Sequence, residues 1–204
     1  MTHPTGGLLN VKYRMASADA QWAVLTAHPS TPSDVVRSLT ARVSVEEPGF
    51  LVFHYSLAAD MSRVRVAASA AVGRRVDGLW KHTCFEAFVA ATGAPGYHEF
   101  NFSPSRDWAL YGFSAYRAGM SPAESGQAPK ISVQRVYDRL ELQATVRLAD
   151  LGEPSRRHAV HRLRIALTAV VEEENGTLSY WALKHAPGKP DFHHPDGFTL
   201  ELES

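Results

Sequence analysis

The sequence predicts an all-β fold, an antiparallel β-sandwich. From about Leu39 onward, runs of Val, Ile, Leu, Thr, Phe and Tyr alternate with polar residues and are separated by Gly, Pro, Asp and Ser. The turns between these runs are short, whereas helical periodicity is weak throughout. About ten strands with regular turns are typical of two packed antiparallel sheets. A closed barrel is the main alternative.

The predicted strands follow from these runs in chain order. They cover residues 38–45, 49–58, 83–91, 97–103, 108–116, 131–137, 139–148, 162–173, 178–185 and 198–203. Asp138 fits a tight hairpin between the sixth and seventh strands, and Glu174-Asn175-Gly176 fits a second hairpin, because Asn-Gly tolerates positive φ angles. Short helices are expected near residues 16–25 and 155–161.

Length and charge limit the classes of function. The 204 residues suffice for one well-buried core, so a single domain over 1–204 is expected, with 1–34 as an N-terminal extension. Lys+Arg and Asp+Glu both number 21, and no basic stripe suggests a nucleic acid partner. Neither a secretory signal nor a membrane-length apolar segment is recognisable, which predicts a cytoplasmic protein without a membrane partner. The single cysteine, Cys84, is compatible with a reducing compartment.

Two neighbouring strands combine an apolar face with a polar face. Side chains alternate between the two faces of a strand, so one face carries Phe85, Ala87 and Val89 and the other carries Cys84, Glu86 and Phe88. In the next strand, His98, Phe100 and Phe102 share one face, and Tyr97, Glu99, Asn101 and Ser103 share the other. We therefore expect a sheet surface carrying carboxylates and an amide, which suits polyhydroxylated ligands.

Aromatic residues near this surface could complete a sugar site. A tryptophan ring stacks on the C–H groups of a pyranose, and Trp80 lies six residues before Glu86. Trp108 and Trp181 are candidates too, although large aromatics often fill a core. Glu86 and Glu99 also allow a glycosidase hypothesis, since paired carboxylates perform acid/base cleavage. Salt bridges from these carboxylates, for example to Arg106, are the structural alternative.

The loop at 187–197 gathers histidines and aspartates. Asp191, His193 and His194 are weak metal-ligand candidates, because their spacing matches no strong zinc pattern. Pro187, Pro190 and Pro195 favour a stiff structural loop instead. A haem ligand among these histidines stays open, although no CxxCH attachment motif is present.

Three segments carry a family resemblance: LWKHTCFEAFVA, YHEFNFSPSRDWALYGFSAYR and LSYWALKHAPGKPDFHHPDGF. Their order and spacing, from about Arg74 to Leu202, resemble the DOMON-like group related to family 9 carbohydrate-binding modules. The resemblance implies a β-sandwich that binds a ligand, most simply a carbohydrate or sugar-like small molecule, without catalysis. Haem-binding DOMON relatives imply a redox alternative, and calcium in some related modules is a further cofactor that the resemblance allows.

The resemblance also implies which residues form the site. By matching segments, Trp80 provides one wall of the sugar site and Glu86 bonds hydroxyls, with Asn101 and Arg106 as further polar candidates. The second aromatic wall has no secure counterpart. Phe192, in the loop, and Trp181, within a strand, are the alternatives.

Overall fold

A computed structural model describes residues 21–123, 127–150 and 162–203 and confirms the predicted all-β fold. In this part of the chain the strands are β1 (Ala23–Ala27), β2 (Val36–Ser44), β3 (Phe50–Ala59), β4 (Cys84–Ala91), β5 (Tyr97–Phe102), β6 (Trp108–Phe113), β7 (Ser121–Pro122), β8 (Lys130–Val136), β9 (Arg139–Arg147), β10 (Leu163–Glu172), β11 (Leu178–Ala182) and β12 (Leu200–Leu202). Single 3-10 turns form at Leu79–Lys81, Leu148–Asp150 and Pro195–Gly197.

All strand pairs are antiparallel, in the order β7-β6-β5-β4-β10-β11-β1-β2-β3-β9-β8. The sheet folds over at β1, which pairs with β11 on one side and β2 on the other. We call β4–β7 with β10–β12 the front layer, and β2, β3, β8 and β9 the back layer. The short β12 pairs with the beginning of β10, and β11 pairs with its end.

Aromatic side chains from both layers meet in the core. The Phe53 ring of β3 lies 6.1 Å from that of Phe100 and 5.9 Å from that of Phe102, both in β5. Tyr55 of β3 contacts Phe85 of β4 with ring centroids 5.0 Å apart. Burying each such ring contributes about 1.5–3 kcal/mol. These contacts, and a strand order whose end strands β7 and β8 do not pair with each other in the described part of the chain, make the fold a sandwich and not a closed barrel.

The outer face of the front layer is buried as well. Phe88, Tyr97 and Phe113 form a second apolar cluster, against which Trp80 and Phe192 pack from the connecting loops. Every residue of β4 and β5 is therefore buried, on both faces of the sheet. The loops around 79–81 and 187–198 thus cover this face and leave room for a site between loop and sheet.

All ten predicted strands are present, with ends shifted by a few residues. The hairpin turns are confirmed too: Tyr137 (φ 50°) precedes Asp138 between β8 and β9, and Gly176 (φ 87°) closes the turn between β10 and β11.

Other expectations of secondary structure have different outcomes. The helix expected at 16–25 is wrong for its described part, because Ala23 begins β1. β1 lies in the stretch treated above as an N-terminal extension, and β7 was not predicted. The helix expected at 155–161 lies outside the described residues. No helix in the described part of the chain is long and apolar enough to cross a membrane.

Candidate ligand-binding site

A cavity of about 360 Å³ opens on the outer face of the front layer. This volume is near the lower end of small-molecule sites, which span about 300–1,000 Å³. Its lining combines aromatic, acidic and basic side chains: Trp80, Glu86, Glu99, Phe113, Arg117, Met120, Val170, Tyr180, Pro190, Phe192 and His193.

Trp80 reaches the cavity from the 3-10 turn Leu79–Lys81. Gly78 begins the turn with φ 80°, a left-handed conformation that favours glycine. The indole meets the Tyr111 ring edge-on, with centroids 5.7 Å apart, and stays partly exposed. Just after the turn, His82 Nδ1 lies 2.8 Å from Glu172 Oε2 of β10, which ties the turn to the sheet.

Glu86 and Glu99 form the acidic floor of the cavity. In the β4–β5 register Glu86 lies opposite Asn101 and Phe88 lies opposite Glu99, so the two carboxylates are diagonal neighbours on one face. Both residues are buried, with 3% and 5% of their surface exposed. Burial, reinforced by the charge of Glu99, raises the pKa of Glu86 well above its usual value, and burial also raises the pKa of Glu99.

The two carboxylates differ in their partners. Asn101 Nδ2 donates to Glu99 Oε1 at 2.7 Å, and Cys84 Sγ donates to Asn101 Oδ1 at 3.5 Å. Glu86 Oε1, in contrast, is buried and has no hydrogen-bond partner among the described residues. A buried acceptor without a donor is costly, and this distinguishes Glu86 from Glu99, the other carboxylate of the cavity.

Arg117 and Asp191 join two loops at the cavity rim. Arg117 Nη2 and Nε lie 2.7 and 3.1 Å from Asp191 Oδ1, and Tyr116 also donates its hydroxyl hydrogen to Asp191. Burial would raise the pKa of Asp191, but these hydrogen bonds outweigh burial and lower it. The loop before β7 is thereby fixed to the loop after β11.

His193 lies between the rim and the acidic floor. Its Nδ1 is 2.8 Å from the Tyr97 hydroxyl, and its Nε2 is 3.8 Å from Glu99 Oε2. Burial, assisted by the Arg117 charge, lowers the pKa of His193 to about 4. The imidazole is therefore neutral at pH 7. One ring nitrogen then donates a hydrogen bond and the other accepts one, which allows bonds to the tyrosine and to a ligand.

The described residues contain no group of three or more His, Cys, Asp or Glu side chains placed to hold a metal ion. Asp191 is bonded to Arg117 and Tyr116, His193 to Tyr97, and His194 Nδ1 accepts from the Asp196 N–H at 3.2 Å. The weak metal candidates therefore serve the loop structure. Calcium and haem stay predictions.

Four of the predicted binding residues line the cavity: Trp80, Glu86, Glu99 and Phe192. Asn101 is fully buried behind them and positions Glu99. The structure places the remaining candidates elsewhere. Trp108 and Trp181 belong to the core between the layers, since their strand positions point to the inner face. Arg106, in the β5–β6 turn, donates to the carbonyl oxygens of Ala70 and Ala71.

The same cavity is also lined by Phe113, Arg117 and Tyr180, which were not among the predicted binding residues. The alternation of side chains along a strand could have placed Tyr180 on the outer face, because the next residue, Trp181, faces inward. Arg117 gave no such signal. It lies in a loop with a left-handed φ of 51°, and only the fold brings it to Asp191, 74 residues later.

No protein-family model and no curated protein matches the sequence. Solved structures do match. A protein from Bacteroides uniformis described as a putative carbohydrate-binding protein superimposes with a TM-score of 0.64 at 17% identity, over 90% of this chain and 86% of the other. A family 9 carbohydrate-binding module from Caldicellulosiruptor kristjanssonii in complex with cellotriose gives 0.52 at 9% identity, over 91% and 82% of the two chains.

The fold is that of the family 9 carbohydrate-binding modules. A family 9 module from the same organism in complex with glucose superimposes with a TM-score of 0.51 at 9% identity, over 91% of this chain and 84% of the other. These likenesses confirm the resemblance to family 9 modules at the level of the fold. The link to DOMON proteins stays a prediction.

Proposed function

We propose that this family 9-like sandwich binds a small carbohydrate or sugar-like molecule without changing it chemically. One observation carries the proposal: a cavity whose lining includes Trp80, Tyr180 and Phe192 ends on two buried carboxylates, Glu86 and Glu99. Sugars need this combination, because one face of a pyranose ring is apolar while its edge is covered with hydroxyls.

The individual groups suit these roles. Trp80 contacts Tyr111 in a T-shaped arrangement and remains partly exposed, which leaves ring surface for stacking. Glu86 Oε1 has no donor among the described residues, so a ligand hydroxyl would satisfy it. Structural neighbours in complex with cellotriose and glucose support a sugar as the ligand. A ligand of one or two sugar units agrees with the volume of about 360 Å³.

The test compares Trp80→Ala with the unchanged protein in calorimetric titrations against glucose and cellobiose. Loss of a stacking ring should weaken binding by about 1–3 kcal/mol, roughly 5- to 150-fold. Because Trp80 is only partly buried, the melting temperature should fall less than for a core tryptophan.

Trp22→Ala is the matched control. Trp22 is 45% exposed and packs against Arg42 and His54 of the back layer, away from the cavity. Its removal should leave sugar binding unchanged. Unweakened binding by Trp80→Ala would contradict the assigned site, and absence of binding to every mono- and disaccharide tried would contradict the proposed function.

A further inference from the structure

Acidic and basic side chains make up a large share of the cavity lining. Four acidic or basic side chains line the cavity: Glu86, Glu99, Arg117 and His193. Arg117 already forms a close ion pair with Asp191, and His193, with its pKa of about 4, is neutral at pH 7. At the floor of the cavity a ligand therefore meets the two glutamates, of which Glu99 is also subject to the charge of Arg117.

Glu86 in particular lacks a cation. No ion pair to Glu86 is found in the described part of the chain, and its Oε1 has no hydrogen-bond donor there. Its charged neighbour on the same face is Glu99, another acid. Burial raises the pKa of both glutamates, and at Glu86 the charge of Glu99 adds to this effect. The other titratable groups near the pair, each with a raised pKa and so neutral at pH 7, are Cys84, Tyr55, Tyr97 and Tyr111.

We propose that the ligand is an amino sugar whose protonated amino group binds at Glu86 and Glu99, an inference that rests on the proposed sugar-binding function. An ammonium group donates three hydrogen bonds, whereas a hydroxyl donates one. Its positive charge also removes the repulsion between the two carboxylates. A buried carboxylate that lacks a partner is costly, and a ligand cation compensates for that cost directly.

The aromatic lining favours the same ligand. The same cavity is lined by Trp80, Tyr180, Phe113 and Phe192, and aromatic faces attract cations in addition to stacking on sugar rings. Desolvated cation–π contacts of this type strengthen binding further. The cavity thus combines a sugar-stacking wall with a cation-binding floor.

The experiment is a calorimetric titration of the purified protein at pH 7 with glucosamine, glucose and N-acetylglucosamine. These three sugars carry an ammonium, a hydroxyl or a neutral amide at one carbon. Charge-assisted hydrogen bonds to buried carboxylates should make glucosamine bind at least about tenfold more tightly than glucose. N-acetylglucosamine should gain nothing over glucose.

Two variants assign the effect to the carboxylates. Glu86→Gln and Glu99→Gln keep the side-chain shape, and each should bring the ratio of glucosamine to glucose affinity close to one. Glu201→Gln, at an exposed carboxylate of β12, is the matched control and should leave the ratio unchanged. Circular dichroism shows whether each variant is folded.

Proton release gives an independent readout. The ammonium group replaces protons held by the two glutamates, so glucosamine binding should release protons to the buffer. Proton release is measured by repeating the titration in buffers of different ionisation enthalpy, since the observed binding enthalpy then changes with the buffer. Equal affinity for glucose and glucosamine would overturn this inference and leave the proposed function intact. Failure of all three sugars to bind would overturn both.

Discussion

Glu86 is fixed by a residue of the opposite layer. The Tyr55 hydroxyl of β3 donates to the backbone oxygen of Glu86 at 2.7 Å, and the tyrosine is completely buried. The bond crosses the core and ends at the residue whose side chain lies in the cavity floor. The position of the carboxylate therefore depends on the packing of both layers, and not on β4 alone.

Replacement of this hydroxyl should affect stability and binding together. Tyr55→Phe keeps the ring but leaves the Glu86 carbonyl without the hydroxyl donor, which should lower the free energy of unfolding by about 1–3 kcal/mol. We also expect weaker sugar binding, because β4 can shift at Glu86. Urea unfolding and calorimetric titration measure the two effects. Tyr137→Phe is the control, since Tyr137 is 95% exposed at a hairpin tip and should change neither quantity.

At this scale, alternation in the sequence predicted the faces of β4 and β5 correctly. Phe85 and Phe102 lie in the inner core, and Glu86, Glu99 and Asn101 lie on the outer face. Alternation predicts the side of a sheet on which a residue lies, but it does not identify the side that faces the other layer. Trp108 and Trp181 therefore remained ambiguous until the fold placed them between the layers.

The turn that carries Trp80 is tied to β10 by a polar network. Thr83 Oγ1 donates to the Arg65 carbonyl oxygen at 2.6 Å and accepts from the Glu172 N–H at 3.1 Å. Glu172 in turn bonds Arg65 Nη1 at 2.7 Å and His82 Nδ1 at 2.8 Å. Three separate segments of the chain thus meet at the base of the turn, and Thr83 connects two of them.

Loss of the Thr83 hydroxyl should loosen this turn. Thr83→Val has nearly the same shape but leaves the Arg65 carbonyl and the buried Glu172 N–H without this partner, so the free energy of unfolding should fall by about 1–3 kcal/mol. Sugar binding should weaken through movement of Trp80. The control is Thr26→Val, whose hydroxyl makes only a 3.5 Å contact with the Ala182 oxygen. A variant as stable as the unchanged protein would contradict the role of the network; urea unfolding decides.

Elements with strong alternation were predictable, and weakly patterned ones were not. β1 reads AVLTA and buries only Leu25 fully, so its sequence carries little strand signal. Alanine favours helices in isolation, which explains why a helix was predicted where the described residues form β1. Pairing with β2 and β11 overrides that preference, because β1 supplies the connection between the two layers.

For the whole molecule, the cavity is a product of topology. Its lining comes from β4, β5, β6, β10 and β11 and from the loops that cover them. The sequence contains the chemistry of each piece, but the meeting of Arg117 with Asp191, or of Glu86 with Tyr180, depends on strand order. Long-range pairing of this kind is not encoded in local patterns, and seven of the eleven lining residues were not among the predicted ligand-binding residues.

Buried titratable groups should give the whole fold a characteristic dependence on pH. Burial lowers the pKa of His98 and of His193 to about 4. Between about pH 6.5 and 4, the unfolded chain therefore binds protons that the folded chain does not, and stability is lost on acidification. Glu86 and Glu99 act oppositely. Their raised pKa values mean that the folded chain keeps protons which the unfolded chain releases above about pH 4.5, so stability falls as the pH rises further.

A comparison with Glu86→Gln isolates the contribution of the acids. Glutamine resembles protonated glutamic acid, so the variant and the unchanged protein should have nearly equal stability at pH 4. As the pH rises from 4.5 to 8, the unchanged protein must either ionise a buried carboxylate or retain its proton. The variant should therefore become progressively more stable than the unchanged protein. The difference should grow by about 1.4 kcal/mol for each pH unit through which Glu86 stays protonated in the fold. Urea unfolding at intervals of one pH unit measures this difference. A difference that stays constant from pH 4 to 8 would show that Glu86 titrates normally. The buried pair would then carry no cost for the amino group of a ligand to relieve, and the amino-sugar proposal would lose this support.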